Sequence, residues 1–196
     1  MNEREQQNDL CRSPSLVVLT GFRATGKTAV GRILAGLLGY RFIDTDEEIG
    51  SRLGCSIADS VSSHGWQLFR DFERELLNEL AGEEKTVVST GGGSVLHRAA
   101  WQQLHNKAFV VWLRADVATI LSRLKADNKT AMQRPSLSGL DMETEIPALL
   151  GEREPLYQAG SDMVVDTEDR TPAELAATVI QQLALRVKER RLITGA

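Results

Sequence analysis

The chain has 196 residues, 42% hydrophobic and 26% charged, with a formal net charge of −4 and a sequence pI near 5.5. That composition suits one globular domain with a sizeable core. It supplies no global basic field for nucleic acid, and no apolar run approaches the ~20 residues that a bilayer-spanning helix needs, so an anionic ligand must be met by local positive charge.

Residues 1–14, MNEREQQNDLCRSP, are polar and lack an apolar h-region, so they are expected to form a mobile N-terminal arm ahead of a single domain at 15–196 rather than a signal peptide. Cys11 and Cys55 have neither C-x-x-C nor zinc spacing and read as free thiols in a reducing compartment, which predicts a cytoplasmic protein. His64, His97 and His105 also lack ligand spacing and are expected at the surface or at helix ends.

Leu16 to Leu19 form an uninterrupted aliphatic stretch, as in a parallel strand covered on both faces. A loop follows in which Gly21, Gly26, Lys27 and Thr28 satisfy G-x-x-x-x-G-K-[ST], and Val30, Ile33, Leu34 and Leu37 then recur at helical spacing from Ala29 to Leu38. Glycines let backbone curl around a phosphate, and the amides and helix N-terminus supply partial positive charge. Lys27 reaches the β- and γ-phosphates, and the Thr28 hydroxyl can ligate Mg²⁺. The expected nucleotide-binding positions are Gly21, Ala24, Thr25, Gly26, Lys27, Thr28 and Ala29.

Further aliphatic runs at Tyr40–Asp44, Thr86–Thr90, Phe109–Leu113 and Asp162–Asp166 alternate with helical periodicity, which predicts a three-layer α/β fold with a five-stranded parallel sheet and helices on both faces. Phe69, Phe72, Leu76 and Leu80 stripe the helix before the third strand, Asp116 is a plausible N-cap, and Thr171, Pro172 and Glu174 spell a capping box for the last helix. Residues 45–68 and 125–141 escape the alternation. The second segment, KADNKTAMQRPSLSGLD, is polar and has the composition of a flap, which in phosphoryl transfer excludes competing water.

Asp44 and Asp46 close the second strand, and i, i+2 spacing puts both on one face if the chain stays extended; one can hold Mg²⁺ while the other accepts a hydrogen bond from an attacking hydroxyl, although two acids can also simply cap the next helix. Arg70 and Glu73 sit three apart on a helix, a spacing that by itself reads as a surface pair, but at the edge of the apolar stripe the arginine can present its fork to a carboxylate while the glutamate fixes its rotamer. Gly91, Gly92 and Gly93 are tolerated where backbone approaches a ligand or takes positive φ, and Ser89 can support a metal's water shell.

Taken together, Gly21 to Thr28, Asp44-Thr-Asp46, Arg70-x-x-Glu73, Gly91-Gly92-Gly93, Arg134-Pro135 and Arg153-Glu-Pro155-Leu-Tyr157 resemble the shikimate kinase family, in order from about residue 14 to residue 185. The resemblance implies ATP-dependent phosphorylation of the 3-hydroxyl of shikimate in aromatic amino acid (chorismate) biosynthesis, a P-loop kinase fold with sheet order 2-3-1-4-5, a substrate-binding insertion at 45–80 and a lid at 125–141. It implies Asp46 at the shikimate hydroxyls as base or orienting group and Asp44 with Thr28 in the Mg²⁺ shell. Arg70 and Arg153 would sit on the shikimate carboxylate, Gly91 to Gly93 would bring amides to the ring, and Arg134 with Lys27 would lie on the phosphates. Arg170 and Pro172 would be on the adenine side. The expected partners are shikimate and ATP, with no nucleic acid or membrane, in a monomer. Gluconate-type or nucleotide kinases and a non-catalytic P-loop relative are the alternatives. The chain departs from the pattern at Gly65-Trp66, where Gly-Glu is common and Trp66 is expected to pack within the insertion. It also departs in a long lid between Arg123 and Arg134, with Lys125 and Lys129 as substitutes for an adenine-contacting arginine. Trp101 and Trp112 are expected in the core.

Overall fold

The computed structural model describes residues 14–126 and 141–194. The arm at 1–13 with Cys11, and the lid residues 127–140 with Lys129, Arg134 and Pro135, lie outside the described residues. The parallel strands are β1 (Leu16–Thr20), β2 (Arg41–Asp44), β3 (Thr86–Ser89), β4 (Phe109–Arg114) and β5 (Met163–Asp166), in the order β2-β3-β1-β4-β5 expected from the motif resemblance. The described helices are α1 (Lys27–Leu38), α2 (Thr45–Leu53), α3 (Ile57–Leu80), α4 (Arg98–His105), α5 (Val117–Ala126), α6 (Met142–Ala159) and α7 (Pro172–Thr194).

The strands alternate between two cores because successive side chains point to opposite faces. Val17 and Leu19 of β1 join Val30 and Leu34 of α1 and Val179 and Leu183 of α7 on one face. Leu16 and Val18 join Leu76, Leu77 and Leu80 of α3 and Trp101 of α4 on the other, where Trp112 stacks on Tyr157 of α6. Trp101 and Trp112 are thus core residues, as expected. A third cluster, Phe22, Ile120, Leu124, Ile146 and Leu150, packs α5 and α6 beneath the loop after β1.

Three sequence-based expectations change. Ile33 and Leu37 face solvent, 37% and 53% exposed, because α1 turns Val30, Gly31, Leu34 and Ala35 inward. Gly31 lets the helix approach β2 closely: a Cβ there would lie 2.5 Å from the Phe42 ring. Residues 45–68, which escaped the strand–helix alternation, are largely helical, as α2 and the first half of α3, with α3 broken at Gly65 (φ 76, ψ 173). Asp46 does not continue the second strand; the chain turns into α2 directly after Asp44.

The caps are as the sequence indicated. Asp116 Oδ1 accepts from the Thr119 amide at 2.7 Å. At α7 the Thr171 amide donates to Glu174 Oε2 at 2.7 Å and the Glu174 amide donates to Thr171 Oγ1 at 3.3 Å, a reciprocal capping box. Thr171→Ala is expected to cost about 1 kcal/mol, measurable as a fall of a few degrees in Tm; an unchanged Tm would show that the box contributes nothing.

Candidate active site

The carboxyl edge of the sheet gathers the loops after β1, β2 and β3, where open α/β sheets bind ligands. The loop Gly21–Gly26 gets its shape from three left-handed residues, Gly21 (φ 135), Ala24 (φ 61) and Gly26 (φ 87). Gly21 admits no side chain, since a Cβ there would lie 2.3 Å from the Leu113 carbonyl oxygen. Thr25 Oγ1 donates to the Phe22 carbonyl at 2.9 Å, and Lys27 Nζ reaches the same oxygen at 2.7 Å. Helix α1 starts without a side-chain cap and without an acid in its first turn, so its N-terminal dipole opens onto a cleft of about 1440 Å³ lined by Ala24, Lys27, Thr28, Ala29, Asp44 and Asp46.

Asp44 serves two purposes. Its Oδ1 accepts from the Asp46 and Glu47 amides and caps α2, while Oδ2 accepts from Thr28 Oγ1 at 2.7 Å. Capping therefore occupies one oxygen of the carboxylate, and the other meets Thr28 at the cleft. A hydroxyl and a carboxylate at the mouth of a phosphate loop are hard oxygen donors of the kind Mg²⁺ takes alongside water and phosphate, and they fit that ion. Ser89, buried beside Asp44 in the sheet register, lines the same cleft.

Adjoining the cleft is a smaller cavity of about 530 Å³, and Asp46 and Arg23 line both spaces. Arg70 and Arg153 share the small cavity. Arg70 Nη1 donates to Glu73 Oε2 at 2.5 Å, and its guanidinium lies over the Trp66 and Phe69 rings at 5.7 and 5.4 Å. Arg153 is 6% exposed, donates from Nη1 to the Gly92 carbonyl at 3.3 Å, and leaves a buried Nε without a hydrogen bond among the described residues. A buried guanidinium donor left over beside a cavity is a group that an acceptor placed in that cavity would satisfy.

Glu73 is 1% exposed. Burial pushes its carboxyl up. The hydrogen bond from His97, the charge of Arg70 and the hydrogen bond from Ser94 outweigh that, and the group lies below the usual glutamate range. Gly91 and Gly93 make room for this cluster. A Cβ at Gly93 would sit 2.3 Å from Arg70 Nη1, and one at Gly91 would sit 2.8 Å from Glu73 Oε1 and 3.0 Å from Asp46 Oδ1. None of the three successive glycines takes positive φ, so close approach is their reason. The Gly91 amide already donates to Thr45 Oγ1 at 2.9 Å, which removes it from the amides expected to face the ring. Tyr157 is buried and donates its hydroxyl to the Gly92 carbonyl; burial pushes its phenol far up, so it stays a neutral donor.

Several side-chain contacts around the two cavities were missed by sequence reasoning. Arg23 Nη2 pairs with the buried Glu145 Oε2 of α6 at 3.1 Å, between the two cavities. Arg123 donates to the Ala24 carbonyl at 3.2 Å and to Thr167 Oγ1 and the Thr167 carbonyl at 3.0 and 2.7 Å, so a guanidinium spans the phosphate loop and the segment after β5. Arg170 does not reach the cleft: its guanidinium folds back along α7 onto Thr178 Oγ1 and the Glu174 carbonyl, and Pro172 is exposed at the helix start. Lys125 pairs with Glu143 at 2.8 Å across the ends of α5 and α6. Trp66 packs edge-on against Phe69, as expected of the insertion, and also lines the small cavity. His97 ends the short helical turn before α4, as a helix-end histidine should, but it also touches Glu73.

A G-x-x-x-x-G-K-T loop between strand and helix, an aspartate lining two adjoining cavities and two arginines in the smaller one, on a 2-3-1-4-5 sheet, mark a P-loop kinase of small molecules. The comparisons name the kind. The shikimate kinase family model matches residues 23–184. The chain is 43% identical over 168 residues to the shikimate kinase of Oleidesulfovibrio alaskensis, covering 86% of this chain and 96% of that protein. It is 41% identical over 158 residues to that of Nitratidesulfovibrio vulgaris, covering 81% and 87%. Among solved structures, a shikimate kinase from Acinetobacter baumannii in complex with shikimate superposes with a TM-score of 0.81 at 31% identity, covering 88% of this chain and 94% of that one. The chain belongs to the shikimate kinase family.

The depressed Glu73 carboxyl contributes stability that is present above the unfolded glutamate value of about 4.3 and is lost as pH falls through the folded value. Glu73→Gln is expected to lower Tm by several degrees at pH 7, and the deficit should close on acidification below pH 4. Thermal melts across that range check it; a deficit independent of pH would contradict the ionised, paired state.

Proposed function

We infer that the chain transfers the γ-phosphoryl group of ATP to the 3-hydroxyl of shikimate, forming 3-phosphoshikimate. The observation that carries the assignment of residues is that Arg70 and Arg153 share one cavity while Asp46 lines both that cavity and the nucleotide cleft. A ring acid gripped at one end by two guanidiniums places an alcohol at its other end beside Asp46, where the two spaces meet. A kinase for gluconate or a nucleotide needs no such pair. A non-catalytic relative needs no convergence of Lys27, Thr28, Asp44 and Asp46.

In the proposed division of labour, the loop Gly21–Gly26, with Thr25, Ala29 and the start of α1, cradles the phosphates, and Lys27 leaves the Phe22 carbonyl for the transferring phosphoryl group. Mg²⁺, held by Thr28 and by Asp44 through water, would offset charge on the β- and γ-phosphates. Asp46 accepts the proton of the acceptor hydroxyl or orients it, which suits a loose transition state in which positioning matters more than basicity. Helices α2 and α3, residues 45–80, act as the substrate-binding insertion. Residues 125–141 form the lid, from which Arg134 would reach the phosphates. Arg123, tied to both the phosphate loop and Thr167, takes the base-side position foreseen for Arg170. The proposed enzyme is a cytoplasmic monomer working on these two small molecules; among the described residues no helix is long and apolar enough to cross a membrane.

Arg70→Ala removes charge-assisted hydrogen bonds worth about 1.5 to 3 kcal/mol each. kcat/KM for shikimate is expected to fall at least roughly tenfold, with a much smaller change in the KM for ATP; equal losses for both would contradict the clamp. Asp46→Asn is expected to lower kcat by roughly 10²- to 10⁴-fold while ATP still binds. Steady-state kinetics with direct nucleotide binding checks this, and an unchanged kcat would remove Asp46 from the reaction.

A further inference from the structure

Three residues line both cavities: Arg23, Asp46 and Ile57. One is a cation, one an acid and one apolar, so Arg23 brings the positive charge to the place where the two spaces meet. Arg70 and Arg153 line the small cavity alone, and Lys27 lines the nucleotide cleft alone.

Arg23 belongs to the phosphate loop itself, and both ends of its side chain are held. Thr25 Oγ1 and Lys27 Nζ meet the carbonyl of Phe22, the residue just before it, at 2.9 and 2.7 Å. Its Nη2 donates to Glu145 Oε2 at 3.1 Å, and its Cζ lies 5.5 Å from the centre of the Phe22 ring. Glu145 is 2% exposed and stands in the first turn of α6, where the helix dipole favours a carboxylate. Nε and Nη1 of Arg23 donate to no described residue. One edge of the guanidinium is thus fixed, and the remaining N–H groups are left for an anion.

Two anions could use them. Arg153 lies over the same Phe22 ring at 5.8 Å, so a third grip on the substrate acid is the rival assignment. An arginine confined to that task needs no opening onto the cleft of Lys27 and Thr28, which Arg23 has. In the transfer, the acceptor oxygen bonds to the γ-phosphorus, the bridging oxygen leaves on ADP with the electron pair, and the hydroxyl proton passes to Asp46 or to water. The group in transit spreads its charge over three equatorial oxygens. It also crosses beside Asp46, whose negative charge opposes it unless a cation stands at the same junction.

We propose that Arg23 is a catalytic residue that binds the phosphoryl group as it crosses from nucleotide to acceptor, with Glu145 holding the guanidinium in place beforehand. The proposal rests on the reading of the two cavities as the ATP and shikimate sites.

The test compares the unaltered chain with Arg23→Met and with a double variant, Arg23→Met with Glu145→Leu. Removing one member of a buried pair strands the other, whereas removing both leaves an apolar contact. Shikimate-dependent kcat is measured at saturating ATP and Mg²⁺, and calorimetry gives the affinities for ADP and for shikimate. Both variants should lose kcat on the order of 10²-fold, while ADP and shikimate bind within about threefold of the unaltered chain. The double variant should regain the Tm that the single variant loses and yet stay as slow. If kcat returns together with Tm, the pair is merely structural and the proposal is overturned. Weakened shikimate binding at unchanged kcat would move Arg23 to the acid grip and overturn it too, as would an unchanged kcat in both variants. An unaltered chain that turns over no shikimate is a separate failure, that of the proposed function, and takes this proposal with it.

Discussion

A carboxylate taken fully out of water must be compensated from all sides, and Glu73 imposes that requirement on the whole acid end of the site. Its oxygens draw Arg70 from one turn earlier on α3 and Ser94 and His97 from the turn after β3. The guanidinium then occupies the space that a side chain at Gly93 would fill, and Glu73 itself comes against Gly91, so two of the three glycines answer to this one buried charge. The result is an arginine held in place beside the small cavity, which in the proposed role would lower the ordering cost of gripping an acid.

At the nucleotide end the constraint is backbone curvature. Close approach of Gly21 to the Leu113 carbonyl fixes how the loop leaves β1, and Ala24 and Gly26 in the left-handed region turn the following amides toward the cleft. Asp44 links this end to the other. One oxygen starts α2 just ahead of Asp46, while the other meets Thr28, which places the expected metal position and the proposed acceptor-facing acid on consecutive parts of one turn. Arg23, paired with Glu145, sits where the two spaces join.

What the sequence disclosed was local. Strands announced themselves as aliphatic runs, the phosphate loop as a spacing between strand and helix, and the Asp116 and Thr171 caps as residues adjacent to the helices they start. The pieces that needed distance did not show. Tyr157 and Arg153 meet Gly92 across 65 and 61 positions, His97 meets Glu73 across 24, and Arg123 meets Ala24 across 99. Spacing also misled where two faces compete: Ile33 and Leu37 fit a helical stripe, yet Gly31 against Phe42 sets which side of α1 lies on the sheet. Asp44 and Asp46 suggested an extended pair, whereas capping made the chain helical between them.

The central claim is that two guanidiniums seat the acid of shikimate so that its 3-hydroxyl meets Asp46 at the edge of the phosphate cleft. A crystal structure with ADP, Mg²⁺ and shikimate tests it most directly. The account predicts the carboxylate within hydrogen-bond distance, about 3 Å, of nitrogens of both Arg70 and Arg153, with the 3-hydroxyl on Asp46. A carboxylate touching neither arginine, or a ring turned so that a different group faces Asp46, would contradict it.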